Sequence, residues 1–222
     1  MLLAIETATD VCSVALVRDG ALLAEASLYA PRQHATRLAP LVADLFAHAG
    51  CAPAALEAVA VSAGPGSYTG LRIGLSTAKG LCVATGAALV GVPSLEAQAL
   101  ALDGHAAPGE VVAAAFRSRR GEVYAAAYRL AEDARPEAVA PPAAVPEDAL
   151  AGWLPPGIAW TTGGAAAALA PYVPTARHVA APPAAARVAR VAQLRLAAGD
   201  TDDLERFEPA YLKPFVATRP AR

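Results

Sequence analysis

Apolar residues recur along the chain with two different spacings, and the change from one to the other predicts an ordered series of strands and helices. Three short apolar runs, at residues 2–6, 12–17 and 21–28, predict strands. The Asp19-Gly20 pair predicts a hairpin turn between the second and the third. The next apolar positions are three and four residues apart and predict a helix that ends near Gly50: Leu38, Leu41, Val42, Leu45, Phe46 and Ala49.

The alternation of strands and helices continues to residue 102. The sequence predicts a strand at 57–62, a helix at 67–85, a strand at 88–92 and a helix at 94–102. The resulting order, βββαβαβα, is that of a ribonuclease-H-like lobe. We therefore expect an α/β chain whose N-terminal lobe spans residues 1–103.

The second half of the chain begins a similar pattern again. Its predicted elements are a hairpin of residues 111–117 and 122–130 around Arg119-Arg120-Gly121, a strand at 158–162, a short alanine helix after Gly163-Gly164, and a helix at 184–198. The proline- and alanine-rich stretch 136–156 supports no firm strand prediction. Two similar lobes are typical of the actin/Hsp70/sugar-kinase (ASKHA) superfamily. We expect a smaller C-terminal lobe at 104–222, with roughly the last twenty residues packing back on the N-terminal lobe.

A glycine-rich run at residues 64–74, GPGSYTGLRIG, lies between a predicted strand and a predicted helix. It is not a Walker A loop, which needs Gly-Lys-Ser/Thr after its second glycine. It is not a dinucleotide fingerprint, because its glycines are too widely spaced and no acid ends the next strand. It also lacks the Gly-x-Ser-x-Gly of a nucleophile elbow. The glycines are therefore expected to have a structural role first.

The helix that follows this run has apolar residues on two opposite faces. Helical spacing places Leu71, Leu75, Ala78 and Cys82 on the face expected to lie against the sheet. The opposite face holds Ile73, Thr77, Gly80 and Ala84, and the matching side of helix 34–49 shows Ala43, Phe46 and Ala47. This second face is covered either by another helix of the chain or by a partner protein. Gly70, Gly74 and Gly80 would let a partner's backbone approach closely.

The glycine run, together with several other motifs, resembles the bacterial TsaB (YeaZ) family. These motifs are LAIETAT at 3–9, SVAL at 13–16, Gln33-His34 before LAPL at 38–41, GVPSL at 91–95, GEVY at 121–124 and PAYL at 209–212. The resemblance implies an actin/Hsp70-like fold with two ribonuclease-H-like lobes and a reduced C-terminal lobe. The chain departs from the family at Arg117-Ser118-Arg119, where many members have Asp-Ala-Arg, so the contact of that acid is in doubt here.

The resemblance also implies a function, which is that of a non-catalytic subunit in the synthesis of N6-threonylcarbamoyladenosine at position 37 of tRNA. The chain would pair with a TsaD-like threonylcarbamoyltransferase and help to recruit a TsaE-like ATPase. It would reach tRNA only through this complex, and it would form a homodimer when alone. The partner-binding residues would be those of the second face: Ala43, Phe46, Ala47, Ile73, Thr77, Gly80 and Ala84.

Members of the actin-like superfamily hold nucleotide phosphates in two loops, and the counterparts here contain the candidate nucleotide-binding residues Thr7, Thr9, Gly163 and Gly164. Glu6 occupies the place of the aspartate that holds Mg²⁺ through water, and Thr and Asp also form ordinary turns. No two histidines are four residues apart, so no metal or other cofactor is predicted. An actin-like phosphotransferase remains an alternative function. A metal-free peptidase that uses Ser67 is another, although serine at a helix start is first of all an N-cap.

Composition narrows the protein class further. The formal net charge of −2 gives no electrostatic reason for the chain to bind nucleic acid by itself. Its three cysteines lie far apart in apolar surroundings, as is usual in a reducing compartment. No apolar run approaches the roughly 20 residues of a membrane span. We expect a soluble cytoplasmic protein.

Overall fold

Two five-stranded mixed sheets form the framework of the chain in the computed structural model, which describes residues 1–118, 121–133 and 135–213. The first sheet contains β1 (Leu2–Glu6), β2 (Val11–Arg18), β3 (Ala21–Tyr29), β4 (Ala58–Ser62) and β5 (Ala88–Val92). Its spatial order is β3-β2-β1-β4-β5, with β1 antiparallel to β2 and parallel to β4. The strands predicted for the first half of the chain are confirmed.

The second sheet has the same strand order as the first. It contains β6 (Val111–Arg117), β7 (Glu122–Leu130), β8 (Pro136–Pro146), β9 (Ile158–Thr162) and β10 (Arg177–Val179). The spatial order is β10-β9-β6-β7-β8, so in both sheets the first strand lies in the centre, between the second strand and the fourth. The α/β class is confirmed, and the topology is repeated without a visible sequence repeat.

Two strands of the second sheet were not predicted. β8 contains four prolines, which the sheet tolerates because β8 is an edge strand and proline has no N–H to donate. β10 is only three residues long. The predicted alanine helix after Gly164 is wrong, because two 3-10 turns stand there, at Ala166–Ala168 and Ala170–Tyr172. The predicted hairpin tip Arg119-Arg120 and the final residues 214–222 lie outside the described residues.

Helices cover both faces of the first sheet. They are α1 (His34–His48), α2 (Tyr68–Thr85), α3 (Ser94–Ala99) and α5 (Ala185–Ala197), whereas the short α4 (Leu150–Trp153) packs in the core of the second sheet. α1 and α2 pack on one face, while α3 and α5 pack on the other. The predicted inward stripe of α2 is confirmed, since Leu71, Leu75, Ala78 and Cys82 are all buried. Within the described ranges, no helix is long and apolar enough to cross a membrane.

α3 lies between the two sheets and belongs to both cores. Ala97 packs with the first sheet and α5, whereas Leu95 and Ala99 pack with buried residues of β6 and β7. Each sheet therefore uses one side of the same short helix, which fixes the sheets relative to each other.

The end of the chain returns to the first sheet, where we call residues 200–213 the C-terminal strap. Asp202 forms an antiparallel bridge with Leu89 at the outer edge of β5, and Phe207 packs against the core beneath α1 and α2. Further along, the N–H of Ala210 donates to the carbonyl of Ala63 at 2.8 Å. α5 and the strap thus lie on the first sheet although they follow residue 103. The lobe division at 1–103 and 104–222 stays a prediction.

Candidate functional site

The glycine-rich run brings the start of α2 against the loop that joins β1 to β2. A methyl group at Gly66 or Gly70 would lie closer than 3.0 Å to the carbonyl oxygen of Ala8 or Thr7, respectively. A methyl group at Gly74 would meet the Thr7 hydroxyl just as closely. Real side chains do not accept such distances, so these positions require glycine. The expected structural role of the run is a close contact between α2 and this loop.

This contact corrects one part of the sequence interpretation. Gly70 and Gly74 were expected to admit the backbone of a partner helix, but they face the chain's own Thr7. Only the third glycine of that set differs: a methyl group at Gly80 would meet nothing within 4 Å. Of the three, Gly80 alone lies on an open surface.

A cleft of about 890 Å³ opens beside this loop, between the two sheets. Its walls come from the β1–β2 loop, the start of α2, the ends of β6 and β7, the turn after β9 and the C-terminal strap. The lining includes three of the four candidate nucleotide-binding residues, Thr9, Gly163 and Gly164. Thr7 is not among them, because its side chain is fully buried under α2. The cleft therefore has the position expected of a nucleotide site, but one of the four candidate nucleotide-binding residues, Thr7, does not face it.

Glu6 is also withdrawn from the cleft. Its side chain is 1% exposed, and its carboxylate accepts a hydrogen bond from the N–H of Ala8 at 2.6 Å. Burial raises the pKa of Glu6 to about 7, against the opposing effects of that hydrogen bond, of Ser62 and of the Arg187 charge. A carboxyl group held in this way ties the β1–β2 loop to β4 and is not presented to a magnesium-bound water in the cleft.

The raised pKa of Glu6 predicts a pH-dependent stability. The folded chain binds the proton more tightly than the unfolded chain, whose pKa is near the ordinary 4.5, so the free energy of unfolding falls as pH rises between 4.5 and about 7. The loss is on the order of 3 kcal/mol and is complete above pH 7. Glu6→Gln should remove this slope, as measured by urea unfolding from pH 4.5 to 8.

The matched control for that measurement is Glu132→Gln, at an exposed carboxyl group. In Glu6→Gln, the amide oxygen can still accept the hydrogen bond from the N–H of Ala8. This variant therefore tests the effect of the titrating proton and not the loss of that hydrogen bond. A Glu6→Gln profile with the wild-type slope would show that another group titrates in this range.

The structure gives Ser67 a role at the helix start. Its side-chain oxygen accepts a hydrogen bond from the N–H of Gly70 at 3.2 Å, so the predicted N-cap is confirmed. His178 also lines the cleft, but its Nδ1 atom lies 3.1 Å from the carbonyl oxygen of Thr161. In the described part of the chain, no hydrogen bond joins Ser67 to a histidine, and no three His, Cys, Asp or Glu side chains cluster as metal ligands.

The predicted partner-binding residues lie together on the outer side of α1 and α2. Ala43, Ala47, Gly80 and Ala84 are exposed, and Ile73 and Thr77 are half-buried. Phe46 differs from this set, because it is only 4% exposed and belongs to the core of the first sheet. It reaches the surface at the floor of a shallow groove of about 420 Å³ between the helices, which Thr77 and Leu81 also line. We call this outer side the α1–α2 face.

Sequence reasoning missed one exposed residue of α2 and several residues of the cleft. Val83 has an exposed fraction of 75%, yet its position on α2 falls between the two apolar faces and gave no signal. Tyr211 and Lys213 line the cleft because the strap brings them there, and Lys213 forms an ion pair with Glu122 of β7. The ring centroids of Tyr211 and Tyr68 are 4.8 Å apart. Arg117, the residue that departs from the family pattern, lines the same cleft.

Two mixed sheets of identical strand order, joined by a shared helix and separated by a cleft, define an α/β protein with a TsaD/YeaZ-like fold. The family model of TsaD, tRNA N6-adenosine threonylcarbamoyltransferase, matches residues 28–168. The tRNA threonylcarbamoyladenosine biosynthesis protein TsaB of Escherichia coli K12 is 35% identical over 97% of this chain and 96% of its own length. The Bacillus subtilis protein of the same name is 37% identical over 58% of this chain and 55% of its own.

Solved structures agree with these sequence matches. A Pseudomonas aeruginosa protein described as similar to peptidase YEAZ superposes with a TM-score of 0.81 at 31% identity, over 96% of this chain and 99% of that one. YeaZ from the same organism gives a TM-score of 0.79 at 31% identity, over 95% and 99% of the two chains. The chain belongs to the TsaB (YeaZ) family.

Proposed function

We propose that the chain is a non-catalytic accessory subunit in the synthesis of N6-threonylcarbamoyladenosine in tRNA, and that it acts by binding a TsaD-like threonylcarbamoyltransferase. The Escherichia coli relative, which matches 97% of this chain, is named for this pathway. The proposal extends to a cytoplasmic location, to recruitment of a TsaE-like ATPase and to contact with tRNA only within the complex. We also infer the ASKHA fold, with ribonuclease-H-like lobes, from the repeated strand order.

The α1–α2 face is the observation that carries the proposal. The two helices contact each other and present mostly small side chains outward, with an apolar groove between them. Small residues allow the axes of packed helices to approach closely, so two helices of a related partner could complete a four-helix arrangement here. In the absence of that partner, the same face would pair two copies of the chain.

The state of the cleft supports an accessory role. An actin-like phosphotransferase would need a carboxylate to position Mg²⁺ at the end of β1, and the Glu6 carboxyl is instead buried and bonded to Ala8. The Ser67 hydroxyl caps α2, which is a complete structural reason for a serine at that position. Glu6 and Ser67, which suggested the two enzymatic alternatives, therefore each have a structural role.

Gly80→Arg tests the proposed partner surface. Space around Gly80 is open, so the variant should fold, but a bound helix would have to cover a long cation. We expect the affinity for the TsaD-like protein of the same organism to fall at least tenfold, or about 1.4 kcal/mol, in a titration of the two purified proteins. The exposed Gly152 of α4 also has nothing within 4 Å, so Gly152→Arg makes the same chemical change on the other sheet's side.

The control separates surface location from the effect of an added charge. Gly152→Arg should bind the partner like the wild type, and both variants should melt at nearly the wild-type temperature. Unchanged affinity in Gly80→Arg, with a loss in Gly152→Arg, would place the partner on the second sheet's side instead.

A further inference from the structure

The C-terminal strap is held differently in its two parts. Its upstream part is anchored at Asp202 on the edge of β5 and at Phe207, which packs against the core beneath α1 and α2. Its last residues, 210–213, line the cleft instead. Tyr211 and Leu212 have exposed fractions of 39% and 37%, so they bury little apolar surface. A segment with few buried apolar contacts opens more easily than the elements around it.

Two contacts place residues 210–213 beside the first sheet. The N–H of Ala210 donates to the carbonyl of Ala63, the residue directly after β4. The ring of Tyr211 lies against that of Tyr68, the first residue of α2, at a centroid distance of 4.8 Å. This end of the strap therefore rests on the first sheet's side of the cleft.

A single ion pair continues the strap to the second sheet. The Lys213 ammonium group pairs with the carboxylate of Glu122, the first residue of β7. Among the described residues, no other ion pair joins the two sheets. The side chains of Lys213 and Glu122 are 21% and 25% exposed, so water and dissolved ions reach the pair. Neither residue belongs to a buried apolar cluster, so the pair can break while both cores stay intact.

The connection of the sheets through α3 is buried, in contrast to this ion pair. Gln98 of α3 is 1% exposed, and its side-chain amide donates to the Thr162 hydroxyl and to the Ala181 carbonyl, each at 3.0 Å. Ala181 also lines the cleft. The cleft therefore lies between one buried connection of the two sheets and one that solvent reaches.

We propose that residues 210–213 are a latch that closes the cleft, and that the cleft opens when the Lys213–Glu122 ion pair separates. Opening moves one wall of the cleft away and leaves the buried connection through α3 in place, so the chain stays folded. Because the latch depends on opposite charges that solvent reaches, added salt favours the open cleft. The latch controls access to the cleft, and the proposal does not depend on the proposed function of the α1–α2 face.

Ser118 provides a reporter of latch opening. It lines the cleft, its N–H donates to the Glu122 carbonyl at 3.4 Å, and its hydroxyl oxygen is buried with no hydrogen-bond partner among the described residues. Ser118→Cys therefore introduces a buried thiol beside the ion pair at little structural cost. Cys51 is half-buried and is changed to serine in all variants, whereas Cys12 and Cys82 are buried. The rate of reaction with iodoacetamide, a small uncharged reagent, then measures access to the cleft.

Breaking the ion pair from either end should expose this reporter. Lys213→Gln and Glu122→Gln should each raise the labelling rate about fivefold or more. A purely electrostatic effect on the thiol would differ between them, because losing a nearby cation raises the thiol pKa and losing a nearby carboxylate lowers it. Exchanging the charges, in Glu122→Lys/Lys213→Glu, should restore slow labelling. Glu137→Gln is the matched control, since it breaks an exposed ion pair with Arg135 at the start of β8.

Salt and hydrogen exchange test the same latch in other ways. Raising sodium chloride from about 0.05 to 0.5 M should speed labelling when the ion pair is intact and change it little in Lys213→Gln. The Ala210 N–H, which donates to Ala63, should exchange faster in both glutamine variants, as measured by mass spectrometry.

Three results would overturn the proposal. Faster labelling in Glu122→Gln alone would show an effect on the thiol pKa and not an opening of the cleft. Unchanged labelling in both glutamine variants would show that the ion pair does not close the cleft. Fast exchange at Ala210 with a protected reporter would show that the strap detaches without opening it. Far-ultraviolet circular dichroism confirms that each variant is folded.

Discussion

Gly70→Ala is expected to lower the free energy of unfolding by about 3 kcal/mol, although alanine is the better helix former. The added methyl group would lie closer than 3.0 Å to the backbone carbonyl oxygen of Thr7, which cannot rotate away as a side chain would. α2 would have to move off the β1–β2 loop, and the buried Leu71 beside it would lose packing. The melting temperature should fall by about 6–12 °C for a chain of this size.

The same helix provides the control for this prediction. Gly80→Ala places its methyl group in open space, so it should raise the free energy of unfolding by about 0.5–1 kcal/mol through helix propensity. Chemical denaturation of the two variants should thus give changes of opposite sign from the same substitution. A stabilised Gly70→Ala would mean that the loop is not held against α2 in solution.

Gly91→Ala is expected to cost about 2–3 kcal/mol, because its methyl group would occupy the space of the Phe207 ring. Phe207 anchors the C-terminal strap to the first sheet, so its displacement should also release the strap. Trypsin digestion reports this release, since the exposed Arg206 lies next to the anchor. Cleavage after Arg206 should be at least tenfold faster in Gly91→Ala than in the wild type, at a temperature at which both proteins are folded.

A double-mutant cycle separates this clash from other effects at Gly91. Phe207→Ala removes the ring and leaves room for the methyl group, so Gly91→Ala should cost little in that background. If the losses in the free energy of unfolding from Gly91→Ala and Phe207→Ala simply add, the two residues are not coupled. Contacts within β5, and not the strap, would then explain why residue 91 is glycine.

The parts of the fold that the sequence predicted correctly are those in which local pattern and burial agree. β1, β2 and β4 are short apolar runs buried on both faces, and α2 has a serine cap at its start and a glycine at its end. β8 was missed because its prolines argue against a strand, and only its edge position in the sheet makes them acceptable.

Non-local contacts explain why the site could be predicted only in part. The glycine run predicted a tight strand-to-helix turn, but its partner is the Thr7-Ala8 loop nearly sixty residues earlier, as the hydrogen bond from the Ser67 N–H to the Ala8 carbonyl shows. Thr7 follows β1 directly, so sequence alone could not show that its side chain points beneath α2. In the same way, no local pattern indicates that Tyr211 reaches the cleft.

The strap also determines when the chain can fold as it leaves the ribosome. All five strands of the first sheet have been synthesised once residue 92 is made. Even so, the open edge of β5 is closed by Arg195 and Asp202, and the face opposite α1 and α2 is covered partly by α5. The first sheet therefore emerges with an uncovered apolar face and an open edge, and it is completed only after residue 202 has been released. The nascent chain is expected to need a chaperone during this interval more than after its synthesis is complete.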